Sequence, residues 1–96
     1  MFQPLLPRPL GPRRAAFIDA MRALGFGVGV HYPAMHLFTL FRRQGWCAGQ
    51  LPVAEDIGAR TVMLPLFATM EEHQVERVCA GVARVAARLG SGFPTL

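Results

Sequence analysis

Ninety-six residues allow one domain with a modest core, and 52% hydrophobic against 17% charged residues excludes a disordered tail. The net charge of +4 rests on ten arginines and no lysine. The arginines are dispersed (8, 13, 14, 22, 42, 43, 60, 77, 84 and 88) with no aromatic interleaving, zinc-finger spacing or RNP-type motif, which argues against nucleic-acid binding.

Cys47 and Cys79 form no CxxC and follow no secretory signal, so they read as two reduced thiols. No apolar run approaches the roughly 20 residues that span a bilayer. The chain therefore reads as soluble and cytoplasmic. So little charge on so small a surface suggests that another body covers part of its apolar area.

Phe2 to Leu6 predicts a short edge strand, because Pro4 removes a ladder donor. Pro12 suits a first helical turn, and Phe17, Met21 and Leu24 supply the buried stripe of a helix that Gly25 stops. Residues 26–32 alternate, with Phe26, Val28, Val30 and Tyr32 on one face and Gly27, Gly29 and His31 on the other. A short helix follows over 36–43 and a loop over 45–49. Pro52 opens another helix, with Glu55 and Asp56 where the helix dipole favours acids. Thr61 to Leu64 predicts a brief buried strand ended by Pro65. Thr69 to Glu72 has capping-box spacing. The long helix behind it carries Val75, Val78, Cys79, Val82 and Leu89 on one stripe and stops at Gly90.

The order β-α-β-α-α-β-α predicts an α+β fold. Its sheet would be small, antiparallel or mixed, with helices on one face and the other face left for a partner. Residues 1–96 read as a single incomplete domain, with 90–96 as a flexible tail.

Chemistry is sparse. His31 and His36 flank a strand-to-helix junction, a place where loops commonly carry function. Their spacing fits no helical HxxxH pair and no cysteine or carboxylate lies close in sequence, so no metal site is expected. No nucleophile elbow, Cys-His signature or phosphate-binding glycine loop is present, and no catalytic residue is assigned. The bland alternative is that both imidazoles simply bond to local backbone.

Four blocks carry a resemblance. Gly25-Phe26-Gly27-Val28-Gly29-Val30-His31-Tyr32-Pro33-Ala34-Met35-His36 is similar to a Gly-Ile-Gly-x-x-x-His-Tyr-x-x-x-His segment of the DegT/DnrJ/StrS-type sugar aminotransferases. Leu51 to Glu55 resembles the same family's Phe/Leu-Pro-x-Ala-Glu helix start, Val62 to Phe67 its Ser-Leu-Pro-Leu-Phe/Tyr strand, and Met70 to Val78 the opening of its last helix. The blocks fall in order and span about residues 2 to 89.

The resemblance implies the C-terminal small domain of a fold-type-I enzyme dependent on pyridoxal phosphate. Such enzymes transfer an amino group to a nucleotide-linked keto sugar, and their active sites lie at a homodimer interface. It further implies that His36 first, and His31 second, stand near the substrate. Leu40 and Phe41 replace tyrosines that are frequent in the family. The Schiff-base lysine belongs to an N-terminal large domain that these residues do not contain, so no cofactor and no activity are expected for this chain alone. The rival reading is a stand-alone α+β interaction module, nucleic-acid binding being one form of it.

Overall fold

The computed structural model describes residues 2–90. A 3₁₀ turn over Arg8–Arg13 leads into helix α1 (Arg14–Ala23). A 3₁₀ turn over Met35–Leu37 precedes the short α2 (Thr39–Arg42), and α3 (Pro52–Arg60) and α4 (Glu72–Arg88) complete the helices.

The expected α+β sheet does not form; the described chain is mainly helical, with three isolated antiparallel bridges. The segment 61–64 is the centre of what pairing exists. It faces Phe2 and Leu5 on one side, through Leu64 and Thr61, and Gly29 on the other, through Met63. Proline explains why the first two bridges stay separate. Val62 N–H reaches the Pro4 carbonyl at 3.1 Å and Leu64 N–H the Phe2 carbonyl at 3.0 Å. The return bond from residue 4 cannot exist, because Pro4 has no N–H. On the other side Gly29 and Met63 exchange both backbone bonds, at 3.3 and 2.7 Å. The pairing stops there at both ends. Phe26 N–H still closes the end of α1 on the Met21 carbonyl, and the His31 carbonyl accepts from the Gln3 side-chain amide. The strand expected over 26–32 thus shrinks to one bridged residue.

The core sits between α1, α4 and the inward side chains of 61–64. Leu10, Phe17, Met21, Val62 and Val85 are its largest fully buried members. The α1 stripe is as the periodicity predicts, with Phe17 and Met21 buried and Leu24 packed beside them. Gly25 takes the left-handed conformation, φ +92°, that stops the helix.

The stripe of α4 is rotated from expectation. Val78, Gly81, Val85 and Ala86 are buried and Val82 and Leu89 pack against them, whereas Val75 and Cys79 are exposed. The capping box is also shifted: Glu71, not Thr69, is the N-cap, and Gln74 accepts the Glu71 N–H at 2.8 Å. The expected helix over 36–43 divides, because Phe38 is extended (φ −66°, ψ 145°) between the 3₁₀ turn and α2. No described helix is long and apolar enough to cross a membrane. Apart from Gly90, the tail expected over 90–96 lies outside the described residues.

Two helical glycines mark close approaches. A Cβ on Gly58 would lie 2.5 Å from the Ala34 backbone nitrogen; one on Gly81 would lie 2.6 Å from the Phe26 ring. Alanine in an exposed helix interior is ordinarily worth about 1 kcal/mol over glycine. At Gly58 the obstacle is backbone, and overpacking of that kind costs about 1–3 kcal/mol. We expect Gly58→Ala to lower the thermal midpoint and Gly81→Ala to lower it less, since a phenyl ring can turn aside. Equal or reversed midpoints in parallel melts would contradict this packing.

Candidate functional site

The junction read from the sequence becomes a small cluster built by three segments. The 3₁₀ turn holds His36 with only 6% of its surface exposed. Its Nε2 lies 3.2 Å from Glu55 Oε2 on α3. The indole of Trp46, from the loop after α2, stands edge-on to the imidazole with centroids 6.4 Å apart.

Glu55 is placed by the start of α3. Pro52 opens that helix, and the N-cap Leu51 brings no side-chain oxygen to it. The Glu55 carboxylate, in the first turn, folds back past the N-cap onto the loop before it. It accepts the Gly49 N–H at 2.9 and 3.0 Å on its two oxygens and the Leu51 N–H at 3.1 Å. The Gly49 bond does most to hold the Glu55 carboxyl below its ordinary value of 4.5; partial burial opposes this, and His36 and the Leu51 N–H add to it. One carboxylate thereby ties the 46–51 loop, the start of α3 and a buried imidazole together.

His31 occupies a separate environment. Its half-buried ring places Nδ1 2.8 Å from Met63 Sδ and stands edge-on to Tyr32, with centroids 4.9 Å apart. Val28 is buried in the core, while a Cβ on Gly29 would face the same Met63 that His31 touches, as the period-2 pattern requires. Tyr32 departs from that pattern and is 67% exposed. No bond or ring contact joins His31 to His36 among the described residues. His73 is exposed and pairs with Glu71 at 3.1 Å. No group of three or more metal-ligating side chains occurs among the described residues.

Sequence reasoning missed Glu55 and Trp46 as members of the site. Glu55 reads as a helix-dipole acid and Trp46 as loop; only the Pro-x-Ala-Glu block signalled that this glutamate had a fixed place.

The lowered Glu55 carboxyl has a consequence for stability. The folded chain binds that proton less readily than the unfolded chain, so the contribution is full above pH 4.5 and is lost as pH falls through the lower folded value. Urea midpoints for the wild type and Glu55→Gln should therefore differ at neutral pH and converge as pH is lowered below 4.5. A gap that stayed constant down to about pH 3 would rule out a carboxylate-specific role.

The sequence model of the DegT/DnrJ/EryC1/StrS aminotransferase family matches residues 4–83. Among curated proteins, a "Pleiotropic regulatory protein" of Geobacillus stearothermophilus is 32% identical over 73 residues, covering 75% of this chain and 20% of that protein. An uncharacterized protein of Methanocaldococcus jannaschii is 29% identical over 73 residues, 75% of this chain and 19% of its own length. The chain thus spans about a fifth of the length of these relatives. His36, Trp46 and Glu55 all fall within the matched span, and the chain belongs to the DegT/DnrJ/EryC1/StrS aminotransferase family.

Proposed function

We propose that this chain is the C-terminal, small-domain part of a pyridoxal-phosphate-dependent aminotransferase acting on a nucleotide-linked keto sugar, and that His36 contacts the sugar, with His31 in support. One observation carries the reading. Two family-like blocks that are distant in sequence, the His31–His36 junction and the Pro52–Glu55 helix start, meet through a single contact between His36 and Glu55. A buried imidazole braced in that way is held for a ligand at low entropic cost, which is what precise substrate positioning needs.

The residues of this chain do not fit the cofactor itself. Pyridoxal phosphate supplies transamination through a Schiff base with lysine, and these 96 residues contain none. The lysine and the phosphate cradle would come from a large domain, and the dimer mate would complete the site. Exposed apolar side chains support such covering bodies: Met35, Leu40 and Val53 are 63%, 63% and 72% exposed near the site. Alone, the chain would lack activity.

Two measurements test the proposal. Incubated with pyridoxal phosphate and borohydride, the purified chain should retain no adduct on a side chain; a stoichiometric one would overturn the assignment of the cofactor to another domain. In a full-length family member that carries the lysine, the His36→Ala equivalent should lower kcat/KM about tenfold, the worth of one hydrogen bond, mainly through KM. Asparagine, whose amide reaches the place of Nδ1, should retain more activity than alanine. Unchanged kinetics in both variants would remove His36 from the substrate site.

A further inference from the structure

Glu55 does more than brace His36. An ionised carboxylate only accepts hydrogen bonds, so the nitrogen facing it must carry the hydrogen. That nitrogen is Nε2, 3.2 Å from Oε2. The backbone N–H groups of Gly49 and Leu51 already point at the same carboxylate, and donors converging on it keep it an acceptor. Nδ1 has no hydrogen-bond partner among the described residues. No buried side-chain nitrogen or oxygen there is left unpartnered, so the small exposed remnant of the ring includes Nδ1.

We infer that Glu55 is a positioning residue that fixes neutral His36 as the Nε2–H tautomer, so that Nδ1 presents a lone pair outward and selects a ligand hydroxyl, a donor, over a carbonyl or phosphate oxygen. Carboxylate–imidazole pairs set tautomer and ring orientation in the same way at metal sites. The choice of hydroxyl rests on the sugar-binding reading above; the tautomer does not.

His31 supplies an internal contrast. Its Nδ1 faces the Met63 thioether, which can only accept, so its hydrogen belongs on Nδ1. The two imidazoles of one junction thus carry opposite tautomers.

The test uses the full chain labelled with ¹⁵N, and two-bond nitrogen–proton correlations at about pH 9, well above the range in which imidazoles ordinarily titrate. For His36 we expect the pattern of a protonated Nε2 and a bare Nδ1, with the reverse pattern for His31. In Glu55→Gln the Gly49 and Leu51 N–H groups would hold the amide oxygen at the place of Oε2 and preserve the Nε2–H form, so the discriminating variant is Glu55→Ala. Without an acceptor facing Nε2 it should lose the single Nε2–H form of His36 for a mixture of tautomers and leave the His31 pattern unchanged. A wild-type spectrum with the hydrogen of His36 on Nδ1 would overturn the inference without any variant. So would an unchanged His36 pattern in Glu55→Ala. Because the readout needs neither cofactor nor substrate, its failure leaves the kinetic test of His36 standing, and failure of that test leaves the tautomer standing.

Discussion

Everything in this fold depends on one stretch of backbone, residues 61–64, being held on both sides. Val62 and Leu64 send their side chains into the core, and their N–H groups reach the N-terminal segment. Met63 faces the other way and exchanges backbone bonds with Gly29. Helices α1 and α4 cover the inward side, closing over Phe17, Met21, Val62 and Val85. This segment is where the N-terminal residues, the junction that bears His31 and the two long helices meet. Its outward residue, Met63, is also what His31 touches, so the core and one imidazole are fixed by alternate side chains of the same four residues.

A ladder this broken leaves carbonyls in need of donors, and arginine supplies them. Arg22 directs two guanidinium nitrogens, at 3.2 and 3.1 Å, to the Val28 carbonyl. Arg60 reaches the Leu6 carbonyl at 2.8 Å while its fork grips Asp56 one turn back. Arg14 serves the Gly58 and Thr61 carbonyls at the end of α3, and Arg13 the Leu89 carbonyl beyond α4. A planar fork with five donors can hold two acceptors at once in a defined geometry; an ammonium group has no such direction. Arg13, Arg14, Arg22 and Arg60 are therefore structural staples, and the positive charge they carry is engaged with the chain's own backbone.

The sequence carried some of this plainly. Phe17 and Met21 at helical spacing before Gly25, and Pro52 at a helix start, need only local chemistry, and local chemistry decides them. The failures share a cause. Alternation over 26–32 describes which way side chains point, and Val28 and His31 obey it, but pairing depends on what the neighbouring strand can donate. Gln3, 28 residues before His31, takes the His31 carbonyl from a distance that periodicity does not see. The stripe of α4 was misplaced because Gly81 and Ala86 carry too little side chain to register as core, yet it is their smallness that lets Phe26 and α1 approach. The His36–Glu55 contact joins positions 19 apart across a loop, with no period to reveal it. Only motif blocks placed side by side hinted that the two belonged together.

The route by which the fold delivers Glu55 to His36 can be traced to a missing Cβ. Gly58 lies three residues after Glu55, so the two share one face of α3. Across from that face runs the segment Pro33 to His36. With hydrogen in place of a methyl group at Gly58, the helix settles against the Ala34 backbone; a Cβ there would stand 2.5 Å from its nitrogen. Ala34 precedes His36 by two residues, as Gly58 follows Glu55 by three, so the backbone contact and the side-chain contact are neighbouring points of one interface. The first sets the distance for the second. A carboxylate side chain has limited reach, and the 3.2 Å separation from an imidazole that is itself nearly buried leaves no room for the helix to stand further off. Packing at a residue with no chemistry of its own thus brings the Glu55 carboxylate within reach of His36 Nε2.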